Sequence, residues 1–545
     1  MTHFQHRTFL CLALILCTLL HLPLMELPLG RDQGIWASIG LALLDGDIFY
    51  KDITHFNLPG LGFAYALAFV FTDNPFIATM LLSLSSSLLT ILGLYYLLKE
   101  CVNTQAACIA AFLWAVLWPT YLNFWLISQK DVLAIPGLLW SAYFLAASYS
   151  PETTVSKQPI LWCYLSGLCA AICIVFKPVF ILYAFLLATV CIALYIKQHS
   201  TLIQLMFRGL ALVAGGLSIG IPLGTYIVAN GALDKAVFGL LEFAPWYSLE
   251  NYQALWFILL KLMARSFFIE FHYPVYAWWS FIAWSPILLL AVIGYKRMQA
   301  PRKHWLLLPT IGALLVYIIQ NKGFGYHAAP WQACLLLFVG TGISWVFSAS
   351  KNWQKKPLKR FATAIVIALL CLQISRAFTV THYTKDYTAS FLNFISHEHM
   401  LSNFKVDKMT AHPLISERTA DWIKSHSKKT DRIVIWGQEN QIYAMSGRRH
   451  ATEHTFDFPL SALVDKATHP KLFERQQTLR AQYILDLKQQ KPKFFIVVSH
   501  DQNPVEPEPS NKVLHRVPGL ELLLATDYRL IETIERFEIY QLNTH

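Results

Sequence analysis

The chain has 545 residues, of which 55% are hydrophobic and only 14% charged, and its mean hydropathy is +0.43. A soluble enzyme cannot hide that much apolar surface, so the composition excludes one and requires a polytopic membrane protein. The formal charge is +11, from 44 Lys and Arg against 33 Asp and Glu, but the cations cluster between apolar segments, which signals orientation and not a nucleic-acid partner.

All ten cysteines (Cys11, Cys17, Cys101, Cys108, Cys163, Cys169, Cys173, Cys191, Cys334 and Cys371) lie in or beside apolar segments. None falls beyond Cys371, so neither a disulfide framework nor a zinc spacing is on offer in the C-terminal domain. The aromatic residues, 17 Trp, 24 Tyr and 36 Phe, suit interfacial belts and a carbohydrate-facing cavity alike.

Taken in order, residues 1–7 (MTHFQHR) form a short basic lead, and residues 8–28 an apolar run of the roughly 20 residues that a bilayer crossing requires. No small-residue cleavage site follows it, so the first segment is expected to be an uncleaved signal anchor. Residues 30–59, GRDQGIWASIGLALLDGDIFYKDITHFNLP, then make a polar loop pinned to the membrane face. Within it Ile35, Trp36, Ile39, Leu43 and Leu44 recur at helical spacing and Gly46 supplies a stop, which predicts a short amphipathic helix.

Further apolar segments fall at about 75–98, 105–126, 132–149, 159–176, 178–196, 207–229, 276–295, 305–320, 330–349 and 361–380, which with the first predicts about 11 transmembrane helices. The piece 58–71 (LPGLGFAYALAFVF), at roughly 14 residues, is short for a crossing and reads as interfacial or re-entrant. On that reading Arg7, Lys99, Lys157, Lys197, Arg208, Lys296, Arg297, Arg302, Lys303 and the run KNWQKKPLKR at 351–360 share one side, the cytoplasmic one by the positive-inside rule. The opposite side then holds residues 30–57, 127–131, about 230–275, 321–329 and the whole C-terminal third.

From about residue 384, polar helices (ERTADWIKSHS, LFERQQTLRAQYILDLKQQ) alternate with β-branched strands (RIVIWG, KFFIVVS, YRLIETI, FEIYQL). The pattern predicts an α/β domain of about 160 residues, closed by a hairpin with Glu535 and Arg536 at the join. The expected fold class is therefore mainly α: a polytopic membrane domain over 1–383, with a first outer loop at 30–57, and a C-terminal extracytoplasmic α/β domain over 384–545.

The segments at 132–149, 178–196, 209–229, 305–320 and 330–349 contain no charged residue, which weighs against an ion-coupled transporter. The polar groups gather instead at the outer ends of helices: Asp32, Lys51, Asp52 and His55 in the first loop, then Lys130 and Asp131 in the second. Lys177 stands before Pro178 at a helix junction. The third loop holds Glu242, Trp246, Tyr247, Arg265, Glu270, His272 and Tyr273, and the fourth Asn321, Lys322, Tyr326 and His327. Carboxylates beside cations and aromatics at an interface suit a reaction between a lipid-linked phosphate and a hydroxyl.

Each of these residues also has a plainer use. Asp32 and Asp131 would serve as helix N-caps, which stabilise a helix end by about 1 kcal/mol. Lys177 can snorkel, and Tyr326 and His327 can anchor an interface. Asp45-Gly46-Asp47 imitates an Asp-x-Asp metal site, but no Gly-rich nucleotide fold surrounds it, and a helix stop followed by a turn is favoured.

The loop LLDGDIFYKDITHFNLPGLGF, with an Asp just after the first crossing, resembles the first extracytoplasmic loop of the membrane-embedded GT-C glycosyltransferases, in the protein mannosyltransferase and lipid A aminoarabinose transferase group. ISQKDVLAIPGLLW resembles the second loop of that group, QNKGFGYHAAPW a YH-containing motif of many bacterial members, and RIVIWGQENQIYAMSGRR their soluble tail. The resemblance covers most of the chain. It implies inverting sugar transfer from a polyprenyl-phosphate donor to a cell-envelope glycan, lipid or protein at the outer face of the plasma membrane, with the N-terminus cytoplasmic.

Asp32 matches the family's catalytic aspartate, expected to act as general base on the acceptor hydroxyl, and Asp131 matches the second-loop acid, expected to orient acceptor or donor in the same pocket. The developing phosphate charge then needs a cation, for which Lys51, Lys177, Arg265, Lys322 and His327 are candidates. Asp52, His55 and Tyr326 complete the expected substrate-binding set. No cofactor is required by the pattern; loop carboxylates can hold a divalent cation, but no ligand spacing demands one. The chain departs from the aminoarabinose transferases at Asn57-Leu58-Pro59-Gly60, where those carry Lys-Pro-Pro. Two other membrane functions remain open on the sequence, a lipid-linked polysaccharide ligase or polymerase and a lipid-linked-sugar transporter or flippase.

Overall fold

The computed structural model describes residues 3–149, 158–197, 201–249, 252–265, 287–298, 302–350, 386–404, 406, 410–502 and 507–543, with five helical residues between 360 and 371. Glu270, His272 and Tyr273, most of the segments expected at 276–295 and 361–380, and nearly all of the basic run 351–360 lie outside them.

In chain order the principal helices are α1 (His3–His21), α2 (Arg31–Leu44), α3 (Gly60–Phe69), α4 (Pro75–Cys101), α5 (Thr104–Tyr121), α6 (Lys130–Ser148), α7 (Pro159–Phe176), α8 (Ile181–Lys197), α9 (Leu202–Ala229), α10 (Leu255–Arg265), α11 (Arg302–Gln320) and α12 (Ala329–Ser350). They are followed by α13 (Pro413–Ser425), β1 (Arg432–Trp436), α14 (Gln441–Ser446), β2 (Arg449–His450), α15 (Pro470–Gln490), β3 (Phe494–Val498), α16 (Leu520–Asp527), β4 (Tyr528–Ile534) and β5 (Phe537–Leu542).

Seven of the described helical segments are long and apolar enough to cross a membrane, against the eleven expected. Of the other four, the segments at 276–295 and 361–380 lie mostly outside the described residues, and α5 and α8 are helices of 18 and 17 residues that are not among the seven. α3, expected to be interfacial or re-entrant, has 10 residues, about 15 Å of helix where the hydrocarbon core needs about 30 Å. The chain divides into two compact units: residues 1–26, 80–223 and 253–394 form one, and residues 27–79, 224–252 and 395–545 the other.

In the first unit, helices approach closely through small residues, as packing inside a membrane requires. A Cβ on Gly137 of α6 would stand 2.6 Å from Cys173 Sγ and 2.7 Å from the Cys169 carbonyl oxygen of α7. Ser166 Oγ donates to the Ser141 carbonyl at 2.8 Å, and the Tyr183 and Ser141 hydroxyls lie 2.6 Å apart, fixing α8 to the same pair. Basic side chains lie over aromatic rings near helix ends, Arg208 at 4.4 Å from Tyr149 and Arg297 at 4.3 Å from Trp345.

In the second unit, the C-terminal residues form a five-stranded sheet of order β2-β1-β3-β5-β4. β1, β2 and β3 are parallel, and β5 runs antiparallel to both β3 and β4. The expected hairpin is β4–β5, with Glu535 in a left-handed turn. Alternation along the strands decides the two faces. Ile433, Ile435, Phe494 and Ile496 pack with Ile415 and Ile423 of α13 and Ile442 of α14. Val434, Trp436, Phe495 and Val497 pack with Tyr483 and Leu487 of α15 and Leu520 and Leu523 of α16. With both faces covered, the central strands are continuously apolar.

α2 belongs to this same unit and lies directly against α14. Gly34 is the reason: a Cβ there would fall 2.3 Å from the backbone of Gln441, so only glycine permits the approach. Gly34→Ala should destabilise the purified protein in detergent by about 1–3 kcal/mol through overpacking, seen as a lowered thermal midpoint. Gly209→Ala, in open space on α9, should cause no loss.

Candidate active site

Both aspartates singled out in the sequence sit at the second residue of a helix, and neither is its cap. Gly30 precedes α2 and Gln129 precedes α6, with no side-chain cap in either case. Their carboxylates are therefore available for other contacts, while the adjacent helix N-termini favour negative charge.

Asp131 is fully buried (0% exposed) and ion-paired with Lys177 Nζ at 2.6 Å. Its other oxygen accepts from Gln320 Nε2 at 3.0 Å, and Lys177 also donates to Gln320 Oε1. Pro178 explains the lysine's position. α7 ends at Phe176, Lys177 takes an extended conformation (φ −152°, ψ 115°), and its side chain is directed to α6 and α11 together. The Lys177 ammonium also lies 5.6 Å from the centre of the Tyr326 ring.

Beside this pair, the turn after α11 turns back on itself through left-handed Asn321 and Gly323. Gln253 N donates to Asn321 Oδ1 at 2.5 Å, and Arg265 donates to the Gly323 carbonyl. His327 is buried, edge-on to Tyr326, and the charges of Lys177, Arg265, Lys130 and Lys322 all act on it. Five of the expected residues, Asp131, Lys177, Arg265, Lys322 and His327, thus gather with Tyr326 in one unit. Asp131 balances Lys177, so Lys130, Arg265 and Lys322 leave the surroundings of this imidazole net positive and attractive to anions.

Asp32 stands in the other unit, half-buried on α2, close enough to Tyr247 for its charge to act on that phenol; burial and this carboxylate push the Tyr247 hydroxyl up to about 12. Ile35, one turn on, packs on an aromatic cluster that includes Phe56, Tyr247, Phe456 and Phe458. On the neighbouring face of the same turn, Arg31 Nε and Nη2 donate to Glu439 Oε1 at 2.8 and 2.5 Å. Glu439 is saturated, since Oε1 also accepts from Ala411 N at 3.0 Å and Oε2 from Gln441 Nε2 at 2.6 Å.

The remaining first-loop residues hold the loop's own shape. Asp52 Oδ2 accepts from Ile48 N at 2.8 Å. His55 is buried between Trp36 and Phe56, its Nδ1 accepting from Asn57 N at 3.1 Å. Lys51 is exposed, and its carbonyl accepts from Lys235 Nζ at 3.0 Å. Asp45 and Asp47 bracket Arg449, which donates to Asp47, and Gly46 is left-handed (φ +98°). Among the described residues, no group of three or more His, Cys, Asp or Glu side chains is gathered for a metal.

Three participants escaped the sequence reading: Gln320, Arg31 and Glu439. Arg31 and Glu439 are 408 residues apart, and only the oddity of a charged residue immediately after a buried strand could have flagged the second.

No family model matches the sequence, and no curated protein matches it. Solved structures do match the fold. ArnT from Cupriavidus metallidurans bound to undecaprenyl phosphate superposes with a TM-score of 0.60 at 14% identity, over 99% of this chain and 98% of that one. Its apo state gives 0.57 at 13%. The apo oligosaccharyltransferase of Archaeoglobus fulgidus gives 0.51 at 11%, over 91% of this chain and 70% of that one. The chain is thus a multi-pass membrane protein with the GT-C fold.

The buried Asp131–Lys177 pair makes a direct prediction. Lys177→Met should destabilise the protein by about 3–5 kcal/mol by leaving a buried carboxylate unpaired, and adding Asp131→Asn should restore most of the loss. Thermal unfolding of the four proteins of this cycle measures it.

Proposed function

We propose that the protein is an inverting GT-C glycosyltransferase, moving a sugar from a polyprenyl-phosphate donor to a cell-envelope acceptor at the outer face of the plasma membrane. The observation that carries this reading is the cation group around His327, with Asp131 holding Lys177 in place. A lipid phosphate needs such a group twice, when the donor binds and when the phosphate departs with its full charge. Likeness of fold to a protein crystallised with undecaprenyl phosphate supports the same donor class.

In the proposed step Asp32 takes the proton from the acceptor hydroxyl as its oxygen bonds to the sugar's anomeric carbon. The bond from that carbon to the phosphate oxygen breaks, the electron pair leaves with the phosphate, and Lys177, Arg265 and Lys322 receive the charge. The phosphate leaves as a stabilised anion, so one general base suffices and no acid need protonate it. Asp131 acts through Lys177, as a positioning residue. The basic helix-end residues Arg208 and Arg297 would lie on the cytoplasmic side with the N-terminus, and residues 384–545 on the opposite one.

Purified protein in detergent, given a synthetic polyprenyl-phosphate hexose or pentose and envelope acceptor extract, should release polyprenyl phosphate and form a product of inverted anomeric configuration. Asp32→Asn should lower the rate by about 10²–10⁴-fold, the usual contribution of a general base, with an unchanged thermal midpoint. Full turnover by that variant, or, after reconstitution into vesicles, transbilayer movement of intact donor without cleavage, would refute the assignment.

A further inference from the structure

The three parallel strands end at Trp436, His450 and Val498, and the segments that follow them carry polar side chains which the fold buries and leaves unsatisfied. Among the described residues, neither the amide nitrogen nor the amide oxygen of Asn440, at 0% exposure, has a hydrogen-bond partner. The same holds for Thr455 Oγ1 and for Gln441 Oε1, both buried. Each such atom costs about 1–3 kcal/mol if nothing ever pairs with it, and native proteins seldom tolerate one without a use.

The topology gives these residues a meaning. From β1 the chain passes through α14 to β2 on one side, then returns through α15 to β3 on the other side of β1. α14 packs on one face of the sheet and α15 on the opposite face. The connections therefore reverse between β1 and β3, and in open α/β sheets the crevice outside the carboxyl ends at such a reversal is where ligands bind. The segments 437–440 and 499–501 flank this point, cross-braced by Asp501, which accepts from Gln438 N at 3.0 Å and from Ser510 N at 2.8 Å.

The surroundings select the ligand's chemistry. Glu439 precedes Asn440 in the chain, Asp501 accepts from Gln438 N two residues before it, and the Ser510 hydroxyl lies 2.8 and 2.9 Å from the carboxylates of Asp501 and Asp457. Three carboxylates against Arg31 repel a phosphate. An amide with both a donor and an acceptor to offer, and the Thr455 hydroxyl with its oxygen unused, match groups that both give and take a hydrogen bond, as alcohols do.

We propose that the crevice at the carboxyl ends of the three parallel strands binds a neutral polyhydroxylated ligand, a sugar unit of the acceptor, through Asn440 in the segment after β1 and Thr455 in the segment after β2. It rests on the proposed function for the word acceptor, because Arg31 ties the turn bearing Asp32 to Glu439 at this crevice. The binding itself needs no turnover.

The test is saturation-transfer NMR on the full-length protein in detergent, with the methyl glycosides of glucose, galactose and mannose as probes and no donor present. At least one glycoside should bind the wild type and bind Asn440→Leu, a near-isosteric change, at least about tenfold more weakly. Thr455→Val should weaken the same glycoside, and it decides the matter if Asn440→Leu fails to fold. Inorganic phosphate should show no dependence on Asn440. No bound glycoside, unchanged affinity in both variants, or a phosphate signal that alone depends on Asn440 overturns the proposal. Transfer from the polyprenyl-phosphate donor is measured in parallel on the wild type: glycoside binding without any transfer refutes the transferase reading and keeps this site, whereas transfer without glycoside binding refutes the site and keeps the transferase.

Discussion

A buried ion pair fixes the helix turn that carries Asp32. Arg31 and Glu439 are both shielded from water, joined through two donors on one oxygen, and Glu439 has no capacity left over once Ala411 and Gln441 are counted. Such pairs return little net stability, because desolvation offsets their attraction. What they supply is a single geometry: a guanidinium held at two nitrogens cannot rotate without breaking both bonds. Gly34 sets the same helix against Gln441 from the next turn. The polar segment after β1 is thus a seat for α2, which gives the C-terminal α/β residues a role in orienting a carboxylate that lies some four hundred positions earlier in the chain.

The first unit follows the same logic with different parts. Asp131 is held by Lys177 and Gln320, residues at the ends of α7 and α11, so three helix ends are locked by one carboxylate. The lysine that results is oriented yet still charged, and it stands in a field already made positive by Lys130, Arg265 and Lys322. A lone lysine at a membrane interface snorkels freely; one braced by a buried aspartate does not.

Much of this was legible in the sequence, for reasons particular residues make clear. Apolar runs and strand alternation depend on local composition, so the membrane class, the helix over 31–44 with its stop at Gly46, and four of the five strands could be read directly. β2 was missed because two residues in SGRRH carry no periodicity. The gathering of Lys177, Arg265, Lys322 and His327 was legible only as a list of polar positions at helix ends; which of them meet depends on tertiary packing. Capping was the wrong plain alternative for Asp32 and Asp131, since each lies one residue inside its helix. Asp52 and His55 were legible by residue type, but their local bonds to Ile48 N and Asn57 N were not, because turn hydrogen bonds are set by the loop's backbone. The Arg31–Glu439 pair left no local trace, because long-range partners are chosen by the fold and not by neighbours in sequence.

Whether this pair fixes Asp32 for the proposed proton transfer is read from the turnover of Glu439→Gln, a variant that leaves Asp32 and the cations around His327 untouched. The expected result is a fall in kcat of about 10²-fold, the usual consequence of displacing a reacting group by about an ångström, with the KM for polyprenyl-phosphate sugar within about twofold of the wild type. A folded Glu439→Gln protein with wild-type kcat, or one that loses donor affinity while keeping its kcat, would contradict it.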